Sequence, residues 1–403
     1  MKNHKAFVFL GYPTFPYGFA EVQKIILISK SLLLSGNEVT VISRNGYEEI
    51  EKNPDFTPQG TFEGIKYIYA SGSCFRSNDF LKRRINKIKG ITHEFLTLRK
   101  MKKRGALDFA ILSTRSFFAV TYYKFLSKLL GFRIILNYVE YYTAIKKGKN
   151  QIAKKYNDYL FDNYAPVLSD AVLPISEFLI NHLKKVAPKK LYLKIPGLTD
   201  FNKYQGIQKD HHEKYFMFCG DATYKEIVLF IIDSFELLGN QHPFFLYLVI
   251  GGRPENVAEI EDYISKQSVK DRIKKFSYLP ERELYTLYRN ATALLIPLRP
   301  TFQDSARFPH KTGEYLASGN PVISTKYGEI NLYFTDMKDM FLADKYDRSQ
   351  FSGKMQYVID HPDKAIEIGL RGKEKASQLF DYQNIAETLN NFFSSQFYFT
   401  EDR

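Results

Sequence analysis

Cysteine is nearly absent: Cys74 and Cys219 are the only two in 403 residues. They lie far apart and form neither a Cys-x-x-Cys pair nor a Cys/His zinc spacing. That excludes a disulfide framework and a structural metal of that kind, and it fits a reducing cytoplasm. Long apolar runs are missing as well. The start of the chain reaches only the short run Phe7–Leu10, below the length of a signal-peptide core, and Ile25–Leu34 is broken by Ser29, Lys30 and Ser31. No stretch approaches the roughly eighteen residues of a membrane span. No Gly-x-Gly-x-x-Gly follows the first strand-like run and no Walker loop is present, so nicotinamide and P-loop chemistry are not supported.

Acidic charge is scarce in one half only. The chain carries 57 Lys+Arg and 44 Asp+Glu, a net +13. Residues 1–196 hold 32 basic and 15 acidic side chains, while residues 197–403 hold 25 and 29. The excess of +17 in the first half directs anionic partners there: nucleic acid, a membrane surface or a phosphorylated acceptor. A hydrophobic share of 44% and a charged share of 25% describe an ordinary globular protein, long enough for two or three domains.

Apolar runs of strand length alternate with segments of helical period. In the first half the strands read Ala6–Leu10, Glu38–Ser43, Ile65–Ala70, Phe109–Ser113, Arg133–Tyr138 and Ala171–Ile175, and the first connection, Glu21–Ser35, is an amphipathic helix stopped by Gly36-Asn37. The pattern restarts at Tyr215–Cys219. It continues through strands Phe244–Ile250, Lys275–Leu279, Ala293–Leu298 and Pro321–Thr325, with helices Lys225–Leu238, Glu255–Gln267, Glu281–Asn290 and Pro309–Ala317 between them. Nearly unbroken apolar strands such as Ala293–Ile296 suit a sheet covered on both faces. The expectation is α/β: two doubly wound, Rossmann-like domains, 1–200 and 201–381, with a boundary around Pro196–His212. A last helix within 382–397 packs back on the first domain.

The most informative segment runs from Arg307 through Phe308-Pro309-His310-Lys311-Thr312-Gly313-Glu314-Tyr315 to Gly319-Asn320-Pro321-Val322. Pro309 suits the first position of a helix, and the amides of a helix start favour a phosphate. Lys311 and Glu314 are three apart and share a helical face. Two readings fit: a surface Lys–Glu pair on an ordinary helix, or a cation and a carboxylate that hold a diphosphate and a neighbouring hydroxyl.

This segment resembles the donor-binding motif of glycosyltransferase family 4, the retaining enzymes with a GT-B fold. The resemblance implies two Rossmann-like domains facing each other across a cleft, and it implies that Glu314 binds the ribose of a nucleotide. The motif's first Glu falls on Ala306, and Asp304, two residues upstream, is the candidate in its place. Cys219-Gly220-Asp221-Ala222-Thr223-Tyr224-Lys225 is similar to the family's Gly-Arg…Lys loop, whose cations bind the pyrophosphate; Lys225 fits the Lys, and Asp221 stands where the Arg is expected. Gly11–Gly18 resembles the glycine-rich loop of the first domain, with Gly18 and Phe19 before a helix start. Glu140, just after Arg133–Tyr138, stands where the family often places a His or acidic residue near the acceptor, so it reads either as a base or acceptor contact or as a structural carboxylate. No two aspartates are spaced Asp-x-Asp, so the metal clamp of the other large glycosyltransferase class is missing.

The expected site is therefore Glu140, Asp304 and His310 for chemistry and sugar contacts, and Gly18, Lys225, Phe308, Lys311 and Glu314 for the donor, with no metal and no cofactor. The donor is a nucleotide-diphosphate sugar; the acceptor is a hydroxyl of a lipid-linked or surface-polysaccharide precursor. An epimerase-type enzyme of the same fold, or a basic nucleic-acid-binding or scaffold protein with a decayed donor site, are the alternatives.

One segment accounts for much of the basic excess. Lys82–Arg104 holds ten Lys/Arg and one Glu, and apolar residues recur at Ile85, Ile88, Ile91, Phe95 and Leu98. That is the pattern of an interfacial helix on anionic lipid, and equally of a core-facing stripe with a solvated basic face. Lys146, Lys147, Lys149, Lys154 and Lys155 add a second basic cluster. No nucleic-acid motif accompanies the charge, so a nucleic-acid partner is not expected. The localisation expected is cytoplasmic and peripheral on the inner face of the membrane.

Overall fold

A computed structural model describes residues 4–12, 14–18, 20–47, 55–145, 151–210, 213–239 and 241–395. Contacts divide the chain into two units, residues 1–198 with 382–403, and residues 199–381.

The first unit runs β1 (Ala6–Leu10), α1 (Ala20–Leu34), β2 (Glu38–Ser43), β3 (Gln59–Phe62), β4 (Ile65–Tyr69), α2 (Phe80–Lys103), β5 (Phe109–Leu112), α3 (Phe117–Leu130), β6 (Arg133–Tyr138), α4 (Ile152–Leu168), β7 (Ala171–Pro174), α5 (Glu177–Val186) and β8 (Leu191–Tyr192). The sheet order is β3-β4-β2-β1-β5-β6-β7-β8. Every pair is parallel except β3–β4. Buried β-branched and aromatic strands, such as Ala6–Leu10 and Phe109–Leu112, form the floor. Right-handed crossovers place α1 on one face and α2, α3, α4 and α5 on the other. Order reverses between β1 and β5, which is the switch point where open α/β sheets hold ligands.

The second unit runs β9 (Tyr215–Asp221), α6 (Lys225–Glu236), β10 (Phe245–Gly251), α7 (Pro254–Ser265), β11 (Ile273–Phe276), α8 (Glu281–Asn290), β12 (Ala293–Ile296), α9 (Phe302–Ala306), α10 (Lys311–Ala317), β13 (Val322–Thr325), α11 (Gly328–Tyr333), β14 (Phe341–Ala343), α12 (Arg348–Asp360) and α13 (Pro362–Phe380). Its sheet, β11-β10-β9-β12-β13-β14, is parallel throughout and reverses between β9 and β12. The chain closes with α14 (Ile385–Ser395), which packs on α1 in the first unit and sets Phe393 edge-on to Phe7 at 4.9 Å.

Three differences from the sequence reading have physical causes. β3 is an exposed polar edge strand, Gln59-Gly60-Thr61-Phe62, and carries no hydrophobic alternation. β11 begins two residues before the expected Lys275 and ends at Phe276, because its ladder to β10 is Ile273–Phe276 against Leu246–Val249; Tyr278, beyond it, is 86% exposed. Helix α10 starts at Lys311 rather than Pro309: the Thr312 amide bonds to the Pro309 carbonyl in a tight turn before the regular ladder begins.

The core-facing reading of the basic segment holds only at its end: Leu98 is buried and Phe95 half-buried, whereas the isoleucines of the expected stripe turn outward. In α2 the side chains that face the sheet are Gly90, Glu94 and Leu98, while Leu81, Ile85, Ile88 and Ile91 are exposed. The Glu94 carboxylate is completely buried, takes Arg44 Nη2 at 2.6 Å and accepts from Tyr123 Oη at 2.9 Å. A side chain at Gly90 would press into the Arg44 carbonyl, so the helix lies flush at this point. Lys146, Lys147 and Lys149 lie outside the described residues.

Candidate functional site

The second unit gathers its polar groups at the carboxyl ends of β9 and β12. Helix α10 presents Glu314 toward its own first turn. Lys311 Nζ lies 2.7 Å from Glu314 Oε2, and His310 Nε2 lies 3.3 Å from Oε1, so both carboxylate oxygens are held by basic groups. Glu314 is only 6% exposed. Burial alone would raise its pKa, but the Lys311 ammonium and the His310 ring override that and hold it well below the usual carboxylate range. Burial likewise works against the Lys311 charge and Glu314 outweighs it, so the ammonium is raised above its ordinary value.

A frame of tyrosines fixes this pair. Tyr204 Oη donates to the Glu314 carbonyl at 2.6 Å, and the Cys219 amide donates to Tyr315 Oη at 2.8 Å, which ties α10 to β9. Tyr288 packs edge-on to Tyr315 at 5.0 Å, and Lys311 Nζ sits 5.5 Å from the Tyr288 ring centre. Asn320 donates to the carbonyls of Tyr288 and Arg289, locking the end of α8 against the turn that follows α10. The geometry sets a buried Glu314 carboxylate against a partly exposed Lys311 ammonium, an oriented pair rather than an exposed surface one.

Asp304 sits differently from its expected part. It is fully buried; Arg299 donates from Nε and Nη2 at 3.0 Å each and from its amide at 2.8 Å, and Arg307 Nη2 lies 2.7 Å from Oδ1. Its oxygens therefore aim two arginines, and those hydrogen bonds and charges keep its pKa below the ordinary value despite burial. The Arg307 guanidinium lies 4.6 Å from the Tyr224 ring centre, so the segment after β12 meets the turn after β9 across the switch point. Arg307 Nε and Thr312 Oγ1 are buried polar atoms without a hydrogen-bond partner among the described residues.

The remaining expected residues are scattered by role. Lys225 opens α6 and pairs with Glu259 at the surface. Asp221, where the resemblance expects an Arg, caps the turn into α6 by accepting from the Thr223 amide at 2.8 Å. The Phe308 ring is buried against Tyr333 and Phe380 and belongs to the core.

In the first unit, Gly18 precedes α1; a Cβ there would stand 2.5 Å from Val22 Cγ2, so the loop needs a glycine. Phe19 lies outside the described residues. Gly11, with φ +89°, lets the β1–α1 loop touch the β5–α3 loop: a Cβ there would meet Thr114 Cβ at 2.9 Å. Around this switch point stand groups the sequence reading missed. Burial pushes Glu21 up to about 7, opposed by Arg115 and Lys24, and burial pushes Lys24 down to about 7. Glu140 belongs to the same neighbourhood: burial, then the charges of Glu21 and Glu140, lift the Tyr142 hydroxyl well above its ordinary value. The only signal in the sequence was the i, i+3 spacing of Glu21 and Lys24 behind a glycine-bearing loop.

The fold is of the GT-B type, with two doubly wound domains. Residues 200–375, most of the second unit, match the family model described as Glycosyl transferases group 1. Among solved structures, a sucrose-phosphate synthase from Thermosynechococcus elongatus is similar with a TM-score of 0.75 at 14% identity, covering 96% of this chain and 98% of that one. The HepE protein of Anabaena, solved with UDP and glucose, has a TM-score of 0.68 at 14% identity, covering 97% and 99%. A glycosyltransferase from Rickettsia africae has a TM-score of 0.68 at 15% identity with the same coverage. No curated protein sequence matches.

Proposed function

We propose that the protein is a retaining glycosyltransferase that moves a sugar from a nucleotide-diphosphate donor to a hydroxyl of a lipid-linked or surface-polysaccharide precursor. The observation that carries the donor half is the buried Glu314 carboxylate held between His310 and Lys311. An ionised, oriented carboxylate accepts hydrogen bonds from a vicinal diol, which is the ribose role the resemblance assigns to Glu314. That HepE was solved with UDP supports a uridine nucleotide as the first donor to try.

In this reading the bond from the anomeric carbon to the diphosphate oxygen breaks. The acceptor oxygen bonds to the same carbon on the same face, and the acceptor proton passes to the departing phosphate oxygen. A nucleoside diphosphate and the glycosylated acceptor result, with no covalent enzyme intermediate and no metal. Lys311 and Lys225 face the charge that grows on the diphosphate, Lys225 exchanging Glu259 for it. The guanidinium absent at Asp221 is supplied by Arg307 from the other side of the switch point, with Asp304 as its positioning residue. His310 contacts a sugar hydroxyl. In the first unit Glu140, with Glu21 and Arg115, lies on the acceptor side, and the protein works at the inner face of the membrane where such an acceptor is carried.

Release of a nucleoside diphosphate that depends on added acceptor tests the activity. Glu314→Ala and Lys311→Ala each abolish most of it under this reading; undiminished turnover in both variants would sink the site assignment. Nucleotide-sugar conversion without acceptor would instead select an epimerase-type enzyme.

A further inference from the structure

The outward surface of the helical layer formed by α2, α3 and α4 carries exposed apolar rows among its cationic side chains. On α2, Leu81, Ile85 and Ile88 are 69%, 61% and 68% exposed, and their spacing of four and three puts them on one stripe, continued by Leu96. Helix α3 packs beside α2 and carries the same feature: Phe118, Phe125 and Leu129, spaced seven and four, are all exposed. Helix α4 packs beside α3 and adds exposed Ile152, Tyr156 and Tyr159. Three neighbouring helices on one face of the sheet thus turn an apolar or aromatic row away from the core. Scattered exposed apolar residues need no explanation, but a contiguous set rimmed by charge marks an interaction surface.

The rim is cationic. At 100° per residue, Lys82 and Lys89 run along one side of the α2 stripe and Arg84 along the other. At the end of the helix a shallow hollow of about 360 Å³ is lined by Leu96, Arg99, Lys100, Lys103 and Arg104, one apolar and four cationic side chains. The only acid of α2, Glu94, is turned inward onto Arg44, so no carboxylate of this helix opposes the cations. The roll of the helix is held by the close approach at Gly90 and the Arg44–Glu94–Tyr123 bonds.

We infer that this α2–α3–α4 face docks on an anionic lipid bilayer, with the apolar rows entering the headgroup–acyl boundary and the flanking cations on lipid phosphates. It deepens the acceptor half of the reading above by naming the surface that brings the protein to a membrane-borne acceptor. Nucleic acid fits poorly, because phosphates would be met by a stripe whose centre is apolar. A second copy of the chain would set like charges against each other.

The test is sedimentation of the full chain with vesicles of phosphatidylcholine, with and without phosphatidylglycerol. Binding is expected only with the anionic lipid. Leu81→Ser, Ile85→Ser and Ile88→Ser together change only exposed positions, and lower the bound fraction at least about tenfold. Neutralising Lys82, Lys89 and Lys100 to Gln lowers it about fivefold per cation, and added salt weakens it. Absence of binding by the unaltered chain would overturn the inference, as would full retention of binding by the triple Ser variant. Tighter binding of an oligonucleotide through the same cations would also overturn it. Far-ultraviolet circular dichroism and the thermal midpoint confirm that the variants fold. Nucleotide binding to the second unit is measured on the same samples, so failure of the donor assignment and failure of the docking face are read separately.

Discussion

Removing Lys311 unbalances the site in a way that can be sized. In Lys311→Met the stem volume is kept and the charge lost, and the buried Glu314 carboxylate is left with His310 at 3.3 Å. Breaking a buried ion pair by deleting one partner costs about 3–5 kcal/mol. The Lys311 side chain keeps 30% of its exposure and His310 remains, so roughly 2–3 kcal/mol is the reasonable share. For a unit of this size that lowers the melting midpoint by about 5–10 °C. The converse change is gentler, because Glu314→Gln leaves an ammonium that can turn to water, whereas Lys311→Met leaves a carboxylate that cannot. Donor affinity should fall comparably in both variants. Each variant removes one charge-assisted hydrogen bond to the nucleotide, worth about 1.5–3 kcal/mol, or roughly 10- to 150-fold in Kd. Thermal unfolding followed by circular dichroism gives the first quantity and titration calorimetry with UDP the second. If Glu314→Gln destabilises as much as Lys311→Met, the burial asymmetry is wrong; if neither variant alters UDP affinity, the pair is structural.

Further expectations follow from the same geometry. Because Glu314 and Asp304 have folded-state pKa values below their ordinary ones, their stabilisation is complete above the ordinary carboxylate range near about 4 and is lost as pH falls below it; the stability deficit of Lys311→Met relative to the unaltered chain should therefore be largest near neutral pH and shrink as pH falls below about 4, measured by urea unfolding across pH. Arg307→Ala should weaken UDP binding about tenfold and, by leaving the buried Asp304 carboxylate to Arg299 alone, should also cost about 1–3 kcal/mol of stability, and Arg307→Lys should recover part of both; full affinity in Arg307→Ala removes Arg307 from the donor site. Gly90→Ala forces α2 off the Arg44 carbonyl and should cost about 1–3 kcal/mol in urea unfolding, far beyond an exposed helical Gly→Ala change, which normally stabilises.

The repeating scaffold was readable because nearly every central strand is a continuous apolar run between helical segments of clear period. Ala6–Leu10, Glu38–Ser43, Arg133–Tyr138 and the helix Glu281–Asn290 carry the same bounds in sequence and structure. What escaped was polar, short or non-local. Gln59–Phe62 becomes a strand only because Ile65–Tyr69 lies beside it. The face that α2 presents could not be read from its spacing, since an apolar stripe looks the same whether it meets a sheet or faces outward. That choice was made by Arg44, fifty residues away, which draws Glu94 inward. At the candidate site the spacing of Lys311 and Glu314 was legible, and the burial of Glu314 was not. Asp304 showed its charge but not its two arginine partners, which converge only when the segment after β12 folds back.

The inward-facing Glu94 has a consequence for the uniqueness of the fold. A buried ion pair is a poor source of net stability, but it discriminates strongly between alternatives. Helix α2 has two sides that could compete for the sheet, one rich in isoleucine and one holding Gly90, Glu94 and Leu98. Hydrophobic burial alone would favour the isoleucines. The Arg44–Glu94 pair settles that conflict against the stronger apolar preference. Replacing both residues together with apolar ones of similar volume should leave a stable helix whose rotational setting is no longer single-valued, visible as doubled or broadened amide resonances across Phe80–Lys103.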